Sequence, residues 1–207
     1  MMPIVLVRVM LAVAMLSVAS YTDIRRREVS DLVWVVFGGA GAALYILGPP
    51  GLPGLLYIAT GPVLGAALLV ARVIGQADCL ALAAVSIILP GFGGIPVAPA
   101  VAILAAVLAS IWVLASNVSY NLADLSRGRL FLGVSGGPHR KAAGFFLLHR
   151  RRKHERFVFR AQKDGRLAFR LRAGLGAGFE DGFDGYVASA VPLVPFMLAS
   201  AVMVLLL

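Results

Sequence analysis

Long apolar runs separated by short polar links make up most of the first 121 residues, and a further apolar run ends the chain. Helices that cross a bilayer need roughly 17–25 such residues. Because several runs are shorter, tilted or partly re-entrant helices also fit them. The pattern predicts six membrane segments: Pro3–Thr22, Leu32–Leu47, Leu52–Val70, Asp78–Leu89, Ile95–Asn121 and Tyr186–Leu207.

The composition agrees with a membrane protein. Of 207 residues, 60% are hydrophobic and 14% are charged, whereas soluble domains are about 25% charged. Of the 19 Lys and Arg, 14 lie between Asn121 and Tyr186 together with six of the ten acids, so this segment carries +8 of the total +9. Lys- and Arg-rich loops remain in the cytoplasm. With six crossings, we expect both termini to lie on the outer side of the cell membrane.

We therefore predict a polytopic α-helical membrane protein with a small cytoplasmic β-containing subdomain before the last helix. Residues 1–121 would hold transmembrane helices 1–5, residues 122–185 the basic subdomain, and residues 186–207 transmembrane helix 6. The first run could also be a secretory signal, but its charges at Arg25–Arg27 follow it, so we expect no cleavage. The single cysteine, Cys79, excludes an internal disulfide.

The subdomain carries a hairpin signal at residues 157–172, where apolar residues alternate around Asp164-Gly165. A three-residue loop, Lys163–Gly165, would pair Phe159 with Phe169 and keep one face apolar, so we prefer it to a two-residue turn. The preceding patch, 142–148, and the basic run His149–His154 are typical of a membrane-surface contact with anionic lipid headgroups. We expect no nucleic acid to bind there.

Two aspartates lie at the ends of membrane segments, where ionisable residues are functional candidates. Asp23 closes the first segment and Asp78 opens the fourth, so the topology puts both near the cytoplasmic face. Facing carboxylates would share one proton, as an aspartic protease requires. The helix dipole favours an ionised Asp78 and a protonated Asp23, although the neighbouring arginines oppose this. Alternatively, Asp23 pairs with Arg26 or Arg27, and Asp78 caps the fourth helix.

These residues resemble the type IV prepilin peptidases, and most closely their archaeal branch, the preflagellin (archaellin) peptidases. The segment from Asp23 through Arg27 to Asp31 is similar to the first motif of that family. The stretch Gly75-Gln76-Ala77-Asp78 is similar to its GxGD motif, with Ala77 in place of the second glycine. Pro192 and Pro195 resemble a proline-rich element early in the last helix.

The resemblance implies an intramembrane aspartic endopeptidase with Asp23 and Asp78 as catalytic residues and no cofactor or metal. Its substrates would be archaellin or pilin-like precursors, whose short basic leader it would remove at the cytoplasmic face. Because the paired cysteines of the methylating bacterial relatives are missing, we expect cleavage alone. Glu180, Asp181 and Asp184 could contact the basic leader or form a solvated acidic linker. The alternative function is a small transporter, proton- or cation-coupled, that uses the same two aspartates.

Overall fold

The computed structural model describes residues 2–151, 158–167 and 185–206, and it is mostly helical (68%). Within these ranges the helices are α1 (Met2–Arg26), α2 (Asp31–Ala43), α3 (Leu52–Val70), α4 (Gln76–Ile88), α5 (Val97–Ser126), α6 (Pro138–Leu147) and α7 (Val194–Leu206). The strands are β1 (Gly91–Phe92), β2 (Ile95–Pro96), β3 (His149–Arg150), β4 (Val158–Arg160), β5 (Gln162–Lys163), β6 (Arg166–Leu167) and β7 (Tyr186–Ser189).

Three of these helices, α1, α3 and α5, are long and apolar enough to cross a membrane. The apolar helices α2, α4 and α7 have 13 residues each. At 1.5 Å per residue each is about 20 Å long, which is shorter than the roughly 30 Å hydrocarbon layer. The described part of the chain therefore has three apolar helices of spanning length and three shorter apolar ones, and this composition indicates membrane association.

Helices α1–α4, the beginning of α5 and α7 belong to one compact unit, Met1–Leu108 with Pro192–Leu207. Helix α4 lies at its centre, because it packs against α1, α2 and α3. The buried side chains of α4 are Ala81, Leu82, Ala84, Val85, Ser86 and Ile88. A short helix held on three sides by neighbours gains its stability from packing more than from its own length.

Glycines bring α2 and α3 unusually close to α4. A Cβ added at Gly61 would collide with the Leu82 carbonyl oxygen and would lie 2.7 Å from the Ser86 Cβ. A Cβ at Gly65 would lie 3.1 Å from the Cys79 carbonyl oxygen, and one at Gly41 would lie 2.6 Å from an Ile88 side-chain carbon. Small residues allow such close helix packing in membranes, where dispersion contacts stabilise helix pairs.

The carboxyl end of α4 is held by two side chains from neighbouring segments. Arg8 of α1, only 7% exposed, donates from Nη1 to the Ile88 carbonyl oxygen at 2.9 Å. Its guanidinium lies 4.0 Å from the centroid of the Tyr45 ring. The Tyr45 hydroxyl donates to the Ile87 carbonyl oxygen at 2.6 Å. These contacts satisfy carbonyls that a helix end leaves without an internal donor.

The second compact unit, Ala109–Val191, contains the end of α5, helix α6 and strands β3–β7. By packing, it therefore begins earlier than the polarity boundary at residue 122. An antiparallel sheet has the strand order β3-β7-β4. Its small core consists of Phe131, Val134, Leu148, Ala161, Leu167 and Tyr186.

Two asparagines on successive turns of α5 organise this unit. Asn121 donates to the carbonyl oxygens of Phe145 and Leu148 at 2.7 and 2.6 Å. Asn117 donates to the Phe146 carbonyl oxygen at 3.0 Å, and its Oδ1 lies 3.0 Å from Nδ1 of the fully buried His149. His149, expected within a surface basic run, is therefore a core residue.

The prediction that Tyr186–Leu207 forms one transmembrane helix is wrong in its first part. Tyr186–Ser189 is a strand that pairs with β3 and β4, and the helix begins only at Val194. The preceding Pro192 cannot donate a backbone hydrogen bond, and a residue before proline disfavours helical geometry. Hydropathy alone does not separate a short buried strand from the start of an apolar helix.

The predicted hairpin register is also wrong. Gln162 pairs with Leu167 and Lys163 with Arg166, so the turn has two residues, Asp164 and Gly165. Both have positive φ, 49° and 70°, the backbone that a tight hairpin turn requires. Within the described residues, Val158–Arg160 pair with β7, a partner that apolar alternation within the hairpin does not reveal. Residues 157 and 168–172 lie outside the described residues.

Candidate active site

Asp78 stands at the start of the central helix, as the third residue of α4. Its Oδ2 accepts a hydrogen bond from the backbone N–H of Gly75 at 3.2 Å, and the Gly75 carbonyl oxygen accepts from the Cys79 N–H at 3.1 Å. The side chain thus reaches back to the residue that precedes the helix, which is half of a capping box. The alternative prediction, that Asp78 caps the fourth helix by accepting a backbone hydrogen bond, is therefore confirmed by this contact.

Asp23 lies near the carboxyl end of α1, and it is half-buried. The backbone N–H of Val194, the first residue of α7, lies near its carboxylate and interacts favourably with its negative charge. The N–H groups of a first helical turn have no partner inside their own helix and carry partial positive charge. Packing of α7 on α1 therefore brings an anion-favouring helix start to Asp23.

The two carboxylates interact although 55 residues separate them. The charge of Asp23 acts directly on Asp78 in the folded chain. A backbone N–H from a helix start also lies near each acid: Val194 near Asp23, and Gly75, which donates a hydrogen bond, at Asp78. The helix dipole therefore does not distinguish the two acids, contrary to the expectation from the sequence, because both lie near the amino end of a helix.

Arg27 is the residue that follows α1, and its charge acts on Asp23. Its φ of 57° is in the left-handed region, and its backbone N–H donates to the Asp23 carbonyl oxygen at 2.9 Å. This is the usual way to end a helix, although glycine is the residue that adopts the conformation without strain. The charges of Arg27 and of Asp78 thus both act on the surroundings of Asp23.

The remaining motif residues lie around these acids, with two differences from expectation. A Cβ at Gly75 would meet only the Asp78 Oδ2, at 3.5 Å, so the backbone here has room for a side chain. Ala77 occupies the second position of α4. Pro192 precedes α7 and Pro195 is its second residue. The prolines therefore frame the helix start, where proline is tolerated, and do not interrupt a helix. Glu180, Asp181 and Asp184, the candidate contacts for the leader, lie outside the described residues.

Sequence reasoning missed the Val194 N–H as a partner of Asp23, because a backbone donor leaves no mark in residue type. The prolines on either side of it were the available signal, since they indicate where a helix starts. It also left Arg8 without a role, although a buried arginine in an apolar run always requires a partner. Comparison with models of protein families, with curated proteins and with solved structures finds no match to this chain.

Proposed function

We propose that this chain is a membrane-embedded aspartic endopeptidase of the prepilin and preflagellin peptidase type, with Asp23 and Asp78 as its catalytic pair. The observation that supports the proposal is that the fold brings these two acids, which are remote in the sequence, close enough for the charge of Asp23 to act on Asp78. A transporter would also place acids inside its membrane segments, so the reaction itself must be tested.

In the proposed reaction the acid pair holds one proton. The ionised carboxylate takes a proton from a water molecule while the water oxygen bonds to the carbon of the scissile peptide. The protonated carboxyl donates its proton to the carbonyl oxygen, which gives a neutral tetrahedral intermediate. Collapse of this intermediate breaks the C–N bond. One carboxyl gives its proton to the leaving nitrogen, while the other carboxylate takes a proton from a hydroxyl of the intermediate as the C=O bond re-forms, so that the pair again holds one proton.

The proposed topology has six crossings, in which α2, α4 and α7 complete the bundle formed by the three longer helices. The short helices are compatible with this arrangement because they pack in one unit with α1 and α3. The acids would then lie at the cytoplasmic face, at the end of α1 that carries Arg25, Arg26 and Arg27. Both chain ends would face the outside.

The proposed substrates are archaellin or pilin-like precursors, from which the enzyme removes a basic leader just before the hydrophobic helix. The proposal includes cleavage alone, without methylation of the new amino terminus. Glu180, Asp181 and Asp184 are the proposed contacts for the leader. Anionic lipid headgroups are the proposed partners of the basic segment, where cations close to a membrane surface are attracted by about 1 kcal/mol each.

The experiment is a cleavage assay with protein purified in detergent and a leader-bearing precursor, followed by gel mobility and mass spectrometry of the new amino terminus. Asp78→Asn is the sharpest variant, because the amide oxygen can still accept the Gly75 N–H bond while the carboxylate is lost. A purely capping Asp78 would leave cleavage intact in this variant. A catalytic Asp78 predicts loss of cleavage by about a thousandfold or more, the scale of removing an essential group.

Asp31→Asn is the matched control. Asp31 is an exposed acid in the first turn of α2, and its replacement by asparagine removes the same charge as Asp78→Asn does. We expect this control to cut at the wild-type rate, and Asp23→Asn to be as inactive as Asp78→Asn. Normal cleavage by either of the two catalytic-pair variants would refute the assignment. Wild-type protein that leaves every basic-leader precursor intact would favour the transporter alternative instead.

A further inference from the structure

Three arginines converge on a recess at the end of α5. Its lining consists of Ala123 and Asp124 from the last turns of α5, Arg127 just after that helix, and Arg150 and Arg151 from β3 and the residue beyond it. The recess has a volume of about 260 Å³. Sites that enclose drug-sized ligands measure roughly 300–1,000 Å³, so this one suits a smaller group.

The charge of the lining defines the chemistry of a ligand. Three guanidinium groups against one carboxylate give a net charge of +2 when Asp124 is ionised. Guanidinium groups bind phosphate oxygens through paired hydrogen bonds, and arginine is the side chain best suited to this geometry. The carboxyl end of α5 also presents carbonyls that favour nearby cations, which helps to hold the arginines in place.

The position of the recess along α5 fits the polar surface of a bilayer. From Val97, about 20 residues of helix cross the 30 Å hydrocarbon layer, which ends this layer near residue 117. Ala123–Arg127 lie six to ten residues farther, or about 9–15 Å along the helix axis. Helix tilt shortens this height, so a hydrocarbon layer that begins at Val97 would put the recess at or just beyond the headgroups.

We infer that Arg127, Arg150 and Arg151 form a binding site for a phosphate group, and that an anionic phospholipid headgroup is its natural source. The site belongs entirely to the second compact unit, and the inference does not rest on the proposed peptidase activity. The inference assigns the attraction of the basic segment to anionic headgroups to one defined recess instead of to the whole segment. A lipid bound there would hold the second compact unit at the membrane surface.

The test is native mass spectrometry of the detergent-purified chain with phosphatidylglycerol, with phosphatidylcholine, and with inorganic phosphate as separate probes. The pocket variant is Arg127→Gln with Arg150→Gln. The matched control is Arg129→Gln with Arg140→Gln, which removes two equally exposed arginines of the same basic segment outside the lining. Unchanged elution volume and circular dichroism show that each variant is folded.

We expect both the wild-type chain and the control variant to bind phosphatidylglycerol in preference to phosphatidylcholine. Their affinities for phosphatidylglycerol should agree within about twofold. The pocket variant should bind it at least about tenfold more weakly, because hydrogen bonds to charged groups are lost. Displacement of the lipid by millimolar phosphate would assign the site to phosphate itself, and lack of displacement would assign it to the lipid headgroup. If the double variant does not fold, the exposed single change Arg127→Gln is used, with about threefold weaker binding expected.

Two results would overturn the inference. Equal losses in the pocket and control variants would show that only total charge matters. Wild-type protein that binds both lipids equally and binds no phosphate would show that the recess has no such ligand.

Discussion

Replacing Gly61 by alanine should separate α3 from the central helix α4. A Cβ at this position would lie 2.7 Å from the Ser86 Cβ and would collide with the Leu82 carbonyl oxygen. Carbon atoms pack best at about 3.5–4.0 Å, so the two helices must move apart by about 1 Å. The obstacle includes backbone of α4, which has no rotamer that would clear the space.

The cost follows from that displacement. A gap of 0.5–1 Å forfeits about a quarter to a half of each dispersion contact, and the whole α3–α4 seam, including Gly65 against Cys79, would be affected. Overpacking in cores usually costs about 1–3 kcal/mol. We expect Gly61→Ala to reach or exceed about 3 kcal/mol, because a helix moves instead of a side chain.

Gly39→Ala is the matched control, since a Cβ at Gly39 of α2 would have no heavy atom within 4 Å. Alanine is favoured over glycine in a helix by about 0.5–1 kcal/mol, so this variant should be as stable as wild type or slightly more stable. The measurement is reversible unfolding in mixed micelles followed by circular dichroism. Combining Gly61→Ala with Ser86→Gly should restore only part of the loss, because the Leu82 carbonyl remains. Equal stability of the Gly61 and Gly39 variants would refute the close-packing argument.

Three further predictions concern side chains that satisfy backbone groups. Arg8→Met should destabilise the chain by about 2–4 kcal/mol, because the Ile88 carbonyl loses a charged donor and the Tyr45 ring loses its cation. The measurement is the free energy of unfolding, and an unchanged value would mean that water replaces both contacts. Asn121→Ala should cost about 2–4 kcal/mol, since two carbonyls lose their donor, whereas the exposed Ser119→Ala should stay within about 0.5 kcal/mol. Tyr186→Phe should cost about 1–3 kcal/mol because the Phe131 N–H, 2.6 Å from the phenol oxygen, loses its acceptor. Burial raises the pKa of Tyr186, so its contribution persists up to about pH 10 and is lost above it; an alkaline unfolding titration should show this loss in wild type and not in Tyr186→Phe.

The sequence located the helices well where apolar runs are long. The prediction for Leu52–Val70 matches α3 at both ends, because glycines and polar residues bound that run. It failed at Tyr186–Ser189, where a strand continues directly into an apolar helix region and hydropathy does not change. The partner of β4 could not be predicted either, since it is supplied by β7, which is about 30 residues away.

For the candidate site, the identity of the two acids was accessible from sequence, and their surroundings were not. An acid in an apolar run needs a partner, so Asp78 could be singled out from residue type alone. That Asp23 meets the first N–H of α7 depends on the packing of α1 against α7, which no local pattern encodes. The position of the turn at Asp164-Gly165 was predicted correctly, because turn-forming residues are a local signal. The pairing of the strands around it was not.

The central claim is that Asp23 and Asp78 act as one unit, and a double-mutant cycle on cleavage tests it most directly. Wild type, Asp23→Asn, Asp78→Asn and the double variant are compared by kcat/KM, with residual rates followed for hours at enzyme concentrations above that of the precursor. Residues that act as a unit give grossly non-additive losses. We therefore expect each single change to remove nearly all activity and the double variant to be no slower than the singles. Losses that multiply in the double variant, or a single variant that keeps substantial activity, would contradict a shared catalytic role.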